Sequence, residues 1–283
     1  MLLELVGRQP LLRNDLHVVA DVGSDLVVDA SRLRFASPLD LAAIAALTHK
    51  RSAAGGAIEL VLPADARVAS YVQRMDLITR LPAEARVVGH LPFDDRRDRA
   101  SALLETSPLT PETAGALGER IGRLAKASLG TGNGARVSRS IGELIDNAVS
   151  HGLGPSGAFI AAQTYTGRTT RYRRLEVAIC DTGIGVLRHL RQNPEHKKVA
   201  TSTDALQRAL EPGVSGTAEQ RGNGLPDLLA HAGARGPARL VLRSGDGLLH
   251  AGRQPSSASA PRPESSPTWV EGTWAWLRVS FTP

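Results

Sequence analysis

Short runs of Val, Leu and Ile, each closed by turn residues, alternate with helical segments along the first part of the chain. That alternation restricts the fold more than any other feature, because strand–helix alternation points to an α/β sandwich. "HVVADV" (17–22), "DLVVDA" (25–30) and "IELVLP" (58–63) read as strands. "SPLDLAAIAALTHKRSAAGG" (37–56) reads as a helix: Ser37 suits the N-cap, Pro38 the first turn, Lys50 and Arg51 the last turn, and Gly55 and Gly56 the stop. "DARVASYVQRM" (65–75) is a second, shorter helix.

With 283 residues the chain is long enough for two cores. Residues 91–112 mix Pro, Ser and charge, and the expected division is 1–105 and 106–283. In the second part, "PETAGALGERIGRLAKASLG" (111–130) is a helix, "TGNGA" reads as a loop, and a helix follows over roughly 135–151. "AFIAAQTYT" (158–166) and "RLEVAICDTG" (174–183) form a strand hairpin. Residues 186–220 read as helical fragments and loops, and 225–234 as a helix. A hairpin turning on Ser244-Gly245-Asp246-Gly247, a low-complexity mobile insert at 253–267 and a last strand at 272–281 complete the order. The fold class is α/β (α+β): a small α/β sandwich, then a two-layer sandwich with a mostly antiparallel sheet.

Composition excludes several classes. Aromatics are 4% of residues, so the core must be aliphatic. Cys180 is the one cysteine, which rules out a disulfide framework or cysteine metal site and suits a buried thiol. No run approaches a membrane span and the start lacks secretory character, so the expected location is cytoplasmic. The net charge of +6 is carried mostly by scattered Arg. The nearest patch, "RTTRYRR" (168–174), reads as a solvated hairpin tip, and no nucleic-acid-binding motif supports it.

Three short motifs carry chemistry. In "IGELIDNAVSHG" (141–152), Ile141, Leu144, Ile145 and Ala148 share one helix face, while Glu143, Asp146, Asn147 and Ser150 share the other. Alone, such a stripe more often faces solvent. Its alternative use is a carboxylate that takes a proton beside an amide oxygen suited to Mg²⁺. "DTGIG" (181–185) follows a strand; Asp181 can accept from an exocyclic amine, and Gly183 and Gly185 permit a tight turn. Its ordinary reading is a β-turn with Asp and Gly, which is common. "RGNGL" (221–225) opens a helix whose free amides, with Arg221, suit phosphate.

The three motifs in this order resemble the GHKL ATPases, the class of gyrase B, MutL, heat-shock chaperones, histidine kinases and anti-sigma-factor kinases. "ELIDNAVSHG" resembles their N box, "DTGIG" their G1 box and "RGNGL" their G2 box, and "EGTWAWLRVSF" resembles their last strand. The resemblance spans about residues 106–283 and implies a Bergerat-type fold binding ATP with Mg²⁺. It implies that Glu143 is the general base and Asn147 the Mg²⁺ ligand. Asp181 would bind the adenine amine, with Gly183 and Gly185 shaping its turn. Arg221, Gly222, Asn223, Gly224 and Leu225 would lie at the phosphates. Residues 186–220 would be the lid, with Lys197 and Lys198 more simply read as solvated charges.

"DLVVDASRLRFASPLDLAAIAALTHKRSAAGGAIELVLP" resembles STAS domains, with Ser37 and Pro38 where that family carries its phosphorylated Asp-Ser pair. Pro38 cannot be phosphorylated, and Ser37 reads as an N-cap. The helix at 111–130 has no His, which argues against a histidine autokinase, and Glu143 suits hydrolytic or anti-sigma-factor-kinase relatives. The implied function is ATP binding in bacterial signalling or sigma-factor-type regulation, with slow ATPase or serine protein kinase activity, a protein partner and room for a homodimer. The alternatives are a non-hydrolysing nucleotide sensor and a MutL-like nucleic-acid-associated ATPase, which positive charge alone supports.

Overall fold

The computed structural model describes residues 1–14, 17–19, 25–92, 101–152, 154, 156–166, 173–214, 224–233, 236–254 and 256–281. The first part runs β1 (Leu2–Glu4), β2 (Gly7–Arg8), β3 (His17–Val19), β4 (Leu26–Asp29), β5 (Leu33–Phe35), α1 (Pro38–Ala53), β6 (Ile58–Val61), α2 (Ala66–Arg74) and β7 (Arg86–Val88). Its main sheet has the order β3-β1-β4-β6-β7, with β3 antiparallel to β1 and the other neighbours parallel. Strands β2 and β5 form a separate parallel pair.

Helix α1 begins as its residues dictate. Ser37 Oγ accepts from the Asp40 amide, and Asp40 Oδ2 accepts from both the Ser37 amide and the Ser37 hydroxyl at 2.7 Å. Every residue from Pro38 to Ala46 is buried. A helix buried on all sides has protein on all sides, and α1 lies between two sheets. Its near face meets β4 and β6 of the first sheet. Its far face meets the outer surface of the second.

That second part runs β8 (Leu103–Leu109), α3 (Pro111–Leu129), α4 (Thr131–His151), β9 (Ala158–Tyr165), β10 (Arg173–Asp181), α5 (Gly185–Leu190), α6 (Ser202–Arg208), α7 (Gly224–Ala232), β11 (Ala238–Gln254) and β12 (Ser257–Phe281). Its five-stranded sheet, ordered β11-β12-β10-β9-β8, is antiparallel between all neighbours. One face carries α3, α4 and α7 over Ile160, Leu175, Val177, Ile179 and Leu277. From the other face Phe159, Ala161, Ala178, Cys180, Trp274 and Trp276 join Leu26, Leu41 and Leu60 in one continuous core with α1. The molecule is therefore layered: sheet, α1, sheet, helices. Among the described residues no helix is long and apolar enough to cross a membrane.

The structure departs from the sequence reading at four places. "TGNGA" is the first turn of α4, not a loop, and the break between α3 and α4 is Gly130 alone. Gly134 lies against α3 so closely that a Cβ there would be 2.4 Å from Lys126 Cα. "SGDG" is not a hairpin turn. The chain continues through it in β11 with register shifts at Arg243/Gly245 and Gly245/Gly247. A Cβ on Gly245 would meet Ser202 Oγ at 2.4 Å and one on Gly247 would meet Leu206 Cδ1 at 2.9 Å, so these glycines seat α6. The Ser- and Pro-rich segment expected as a mobile insert is the outer part of a β11–β12 ribbon, paired out to Gln254↔Ser257. Residues 103–109, inside the expected linker region, form edge strand β8. The basic segment at 168–174 lies outside the described residues apart from Arg173 and Arg174 in β10.

A shared core makes a specific prediction. A fragment of residues 101–283 uncovers Phe159, Trp274 and Trp276, which α1 covers in the full chain. We expect the fragment to bind a hydrophobic dye such as ANS strongly and the full chain to bind it weakly. Urea unfolding of the full chain followed by tryptophan fluorescence and by far-UV circular dichroism should give coincident transitions.

Candidate functional site

Strand β10 ends at Asp181. Along β10, Leu175, Val177 and Ile179 face the helical layer, and the two-residue alternation of a strand sends Asp181 the same way. The side chain is buried, 5% exposed. Its Oδ1 accepts the amides of Gly183 and Thr273, both at 3.0 Å. Among the described residues no donor is bonded to Oδ2. Burial raises the carboxyl to about pKa 7 against the lowering pull of those two amides, and no charged neighbour adds to the shift.

Three backbone segments enclose this carboxyl, and glycine is what lets them. A Cβ on Gly152, just past α4, would lie 2.6 Å from Asp181 Cγ. One on Gly183 would lie 2.6 Å from the Gly152 carbonyl oxygen, and one on Gly272 would lie 2.1 Å from the Asp181 carbonyl oxygen. Gly272 also has a φ of +75°, which disfavours any other residue. The end of α4, the turn after β10 and the bend in β12 thus meet at one acidic group.

Helix α4 brings the other predicted residues. Ile141, Leu144, Ile145 and Ala148 are buried, while Glu143, Asp146, Asn147 and Ser150 are exposed, as the periodicity predicts. The side chains of Glu143 and Asn147 are hydrogen-bonded to no described residue. Arg221, Gly222 and Asn223 lie outside the described residues; Gly224 is the first residue of α7 and Leu225 is half-buried against the core under the helices. Helix α7 packs along α4.

The segment after the Asp181 turn is folded. Gly185 starts α5 with a φ of +75°. Leu190, Val199 and Ala205 form a small core, and Arg191 donates to the carbonyls of Val199 at 2.8 Å and Ala200 at 3.1 Å. Lys197 and Lys198 are exposed. Three residues that matter to this site escaped the sequence reading: Gly152, Gly272 and Thr273. The signals were present, a glycine directly after the α4 run and a Gly-Thr pair opening the expected last strand, but neither has meaning until the segments are placed together.

No family model matches the sequence, and neither does any curated protein. Among solved structures, the chain is similar to the 43K ATPase domain of Thermus thermophilus gyrase B, solved with an aminocoumarin: 12% identity, TM-score 0.22, over 39% of this chain and 25% of that one. It is also similar to the topoisomerase IV ATP-binding domain of Francisella tularensis, solved with a small-molecule inhibitor: 16% identity, TM-score 0.28, over 64% of this chain and 42% of that one. The chain thus spans less than half the length of either structure, and similarity this low assigns neither a site nor an activity.

Two outcomes follow from the enclosed carboxyl. Gly152 has an ordinary backbone conformation, with φ −95°, so Gly152→Ala tests close contact, with the Asp181 carboxyl and with the Ala148 carbonyl oxygen, and not backbone strain; we expect a loss of about 1–3 kcal/mol in urea unfolding. Asp40, buried at the start of α1, is also raised, to about 6 by burial. The stability tied to both raised carboxyls is fully present below about pH 3.8, and is lost as the pH rises through about 6 for Asp40 and about 7 for Asp181. Asp181→Asn should flatten the part of the stability–pH curve nearest pH 7, measured by urea unfolding between pH 5 and 8.

Proposed function

We propose that this chain is a Mg-ATP-binding protein of the GHKL class, with residues 106–283 as the nucleotide unit and 1–105 as a STAS-like regulatory unit in bacterial signalling. The observation that supports it is the enclosed strand-end carboxyl beside the end of the helix carrying Glu143 and Asn147. An acceptor held by backbone, with one oxygen left over, suits the amine of a purine: Asp181 Oδ1 is used by two amides and Oδ2 remains to accept.

The phosphates would extend from there along α4 toward the start of α7, where the N–H groups of Gly224 and Leu225 have no partner within the helix, Pro226 carries none, and the helix dipole is positive. Arg221, Gly222, Asn223 and Gly224 would line that end. Asn147 offers an amide oxygen, a hard ligand that suits Mg²⁺; the ion, when bound, neutralises phosphate charge. Glu143, one turn earlier on the same face, is the base that would take a proton from water or from a protein serine. Residues 186–220 would close over the nucleotide.

The regulatory role of residues 1–105 would act through packing and not through Ser37. Ser37 is fully buried and both gives and receives hydrogen bonds with Asp40, so a kinase could not reach it in this conformation. The partner would be a protein of a sigma-factor-type pathway.

One observation favours a second reading, a nucleotide sensor that does not hydrolyse. Glu143 is exposed and nothing described holds its carboxylate in place, whereas efficient proton transfer needs a fixed base.

Isothermal titration with Mg-ATP tests binding. Asp181→Asn, which turns an amide donor toward the purine amine, should weaken binding by about 10–200-fold, and equal affinities would sink the assignment. Glu143→Ala separates the two readings. Loss of phosphate release with affinity kept supports catalysis, and equal, near-zero release by both proteins supports the sensor.

A further inference from the structure

Ser244 sits in the bulge of β11, buried at 3% exposure. Its hydroxyl has two partners on different elements. Oγ accepts the amide of Val186, in the first turn of α5, at 2.9 Å, and it donates to the carbonyl of Gly272 at 2.8 Å. Gly185 leaves room for this approach, since a Cβ there would lie 2.7 Å from Ser244 Oγ. The carbonyl of Gly272 belongs to the same peptide group as the amide of Thr273, and that amide donates to Asp181 Oδ1 at 3.0 Å. One peptide group therefore takes a hydrogen bond from Ser244 on its oxygen and gives one to Asp181 from its nitrogen.

We propose that Ser244 is a positioning residue that couples the root of the α5–α6 segment to Asp181 through the Gly272–Thr273 peptide. The coupling rests on the reading of Asp181 as the base-recognising acceptor only for its use; the relay itself is a property of the free protein. A hydrogen bond to a peptide oxygen polarises the group and strengthens its N–H as a donor, by roughly 10–30% per bond. A stronger donor favours the ionised carboxylate. Linkage makes the effect reciprocal: whatever holds Asp181 ionised, a bound purine amine included, tightens the Val186–Ser244 link and orders the start of α5. Base recognition and ordering of the segment over the site thus share one peptide.

Asp181 is the titrating group at this relay. Around it stand the uncharged amides of Gly183 and Thr273, the glycine backbone at 152 and 272, and the Cys180 thiol, which is buried on the opposite face of β10 and pushed up by that burial. The ordinary value of Asp181 is already raised to about 7 by burial, so the relay acts where a half-unit change is measurable.

The test uses the full chain without nucleotide. Carboxyl-carbon NMR should place Asp181 about half a unit higher in Ser244→Ala than in wild type, a roughly threefold change in its ionisation constant, with Ser244→Thr, which keeps the hydroxyl, restoring the wild-type value. A variant-free measurement stands beside it. In wild type, the protection factor of the Val186 amide against hydrogen exchange should rise about threefold as pH increases from 6 to 8, and Asp181→Asn should abolish that rise. An unchanged Asp181 titration in Ser244→Ala, or flat Val186 protection in wild type, overturns the relay whether or not ATP binds. Failure of wild type to bind Mg-ATP, with both effects present, overturns the nucleotide reading and leaves the relay standing. When both hold, Ser244→Ala should weaken Mg-ATP binding about threefold near neutral pH and by less above pH 8.

Discussion

Burial of α1 between two sheets is the contact on which the rest depends. The run Pro38-Leu-Asp-Leu-Ala-Ala-Ile-Ala-Ala46 is buried throughout. Alanine at 42, 43, 45 and 46 keeps the helix narrow enough for sheets on opposite sides, while Leu39, Leu41 and Ile44 fill the space between. A thicker helix would push the second sheet outward. The aromatic content, low as it is, is spent here: Phe159, Trp274 and Trp276 all lie on the sheet face that α1 covers. His49 of α1 has its ring 4.9 Å from that of Phe159.

Charge is buried at the same contact, and its arrangement explains why the layers meet in one register. Glu176 on β10 is 1% exposed and pairs with Arg278 on β12, Nε to Oε1, at 2.8 Å; the Arg278 guanidinium lies 4.7 Å from the ring centre of Trp276 and reaches Gln9 of the first part. Tyr165 donates to Glu176, and Tyr71 of α2 donates to Gln163 of β9 at 2.5 Å. Arg243, 1% exposed, donates to the carbonyls of Leu11 and Arg13 and to Ser266. Buried ion pairs add little net stability, but removing one partner is costly. Their use here is specificity: a shift of the first sheet against the second would cost Arg243 its acceptors on Leu11 and Arg13, Arg278 its acceptor on Gln9, and Tyr71 its acceptor on Gln163.

Local signals were legible where local physics decides. Ser37 caps the helix its position suggests, β9 and β10 pair as the strand reading predicts, and α4 buries the apolar face read from its spacing. What was illegible depends on remote contacts. Gly130-Thr-Gly-Asn-Gly134 looks like a loop because three glycines disfavour helix, and only the backbone of Lys126 against Gly134 shows why a glycine is wanted inside one. Ser244-Gly245-Asp246-Gly247 has turn composition, yet its glycines make room for Ser202 and Leu206 of α6. Within the site, Asp181, Glu143 and Asn147 stood out as side chains with chemistry. Gly152, Gly272 and the Thr273 amide did not, because a backbone contribution leaves no mark in residue type beyond a glycine.

That last point bears on how the site keeps its shape. Asp181 is fixed by amides and walled by glycine backbone, so its position follows from where the main chain of β10, β12 and the end of α4 run, not from side-chain rotamers. Those paths are set by packing on both faces of the sheet: α3, α4 and α7 on one, α1 on the other. Side chains 176, 178 and 180 of β10 meet the α1 layer, while 175, 177 and 179 meet the helices, and residue 181 ends the strand on the helix side. The 3.0 Å contact from Thr273 to Asp181 continues the β10–β12 pairing, which runs from Arg173↔Phe281 to Cys180↔Trp274. The α1 layer thus backs the two strands, β10 and β12, that present the carboxyl and its donor.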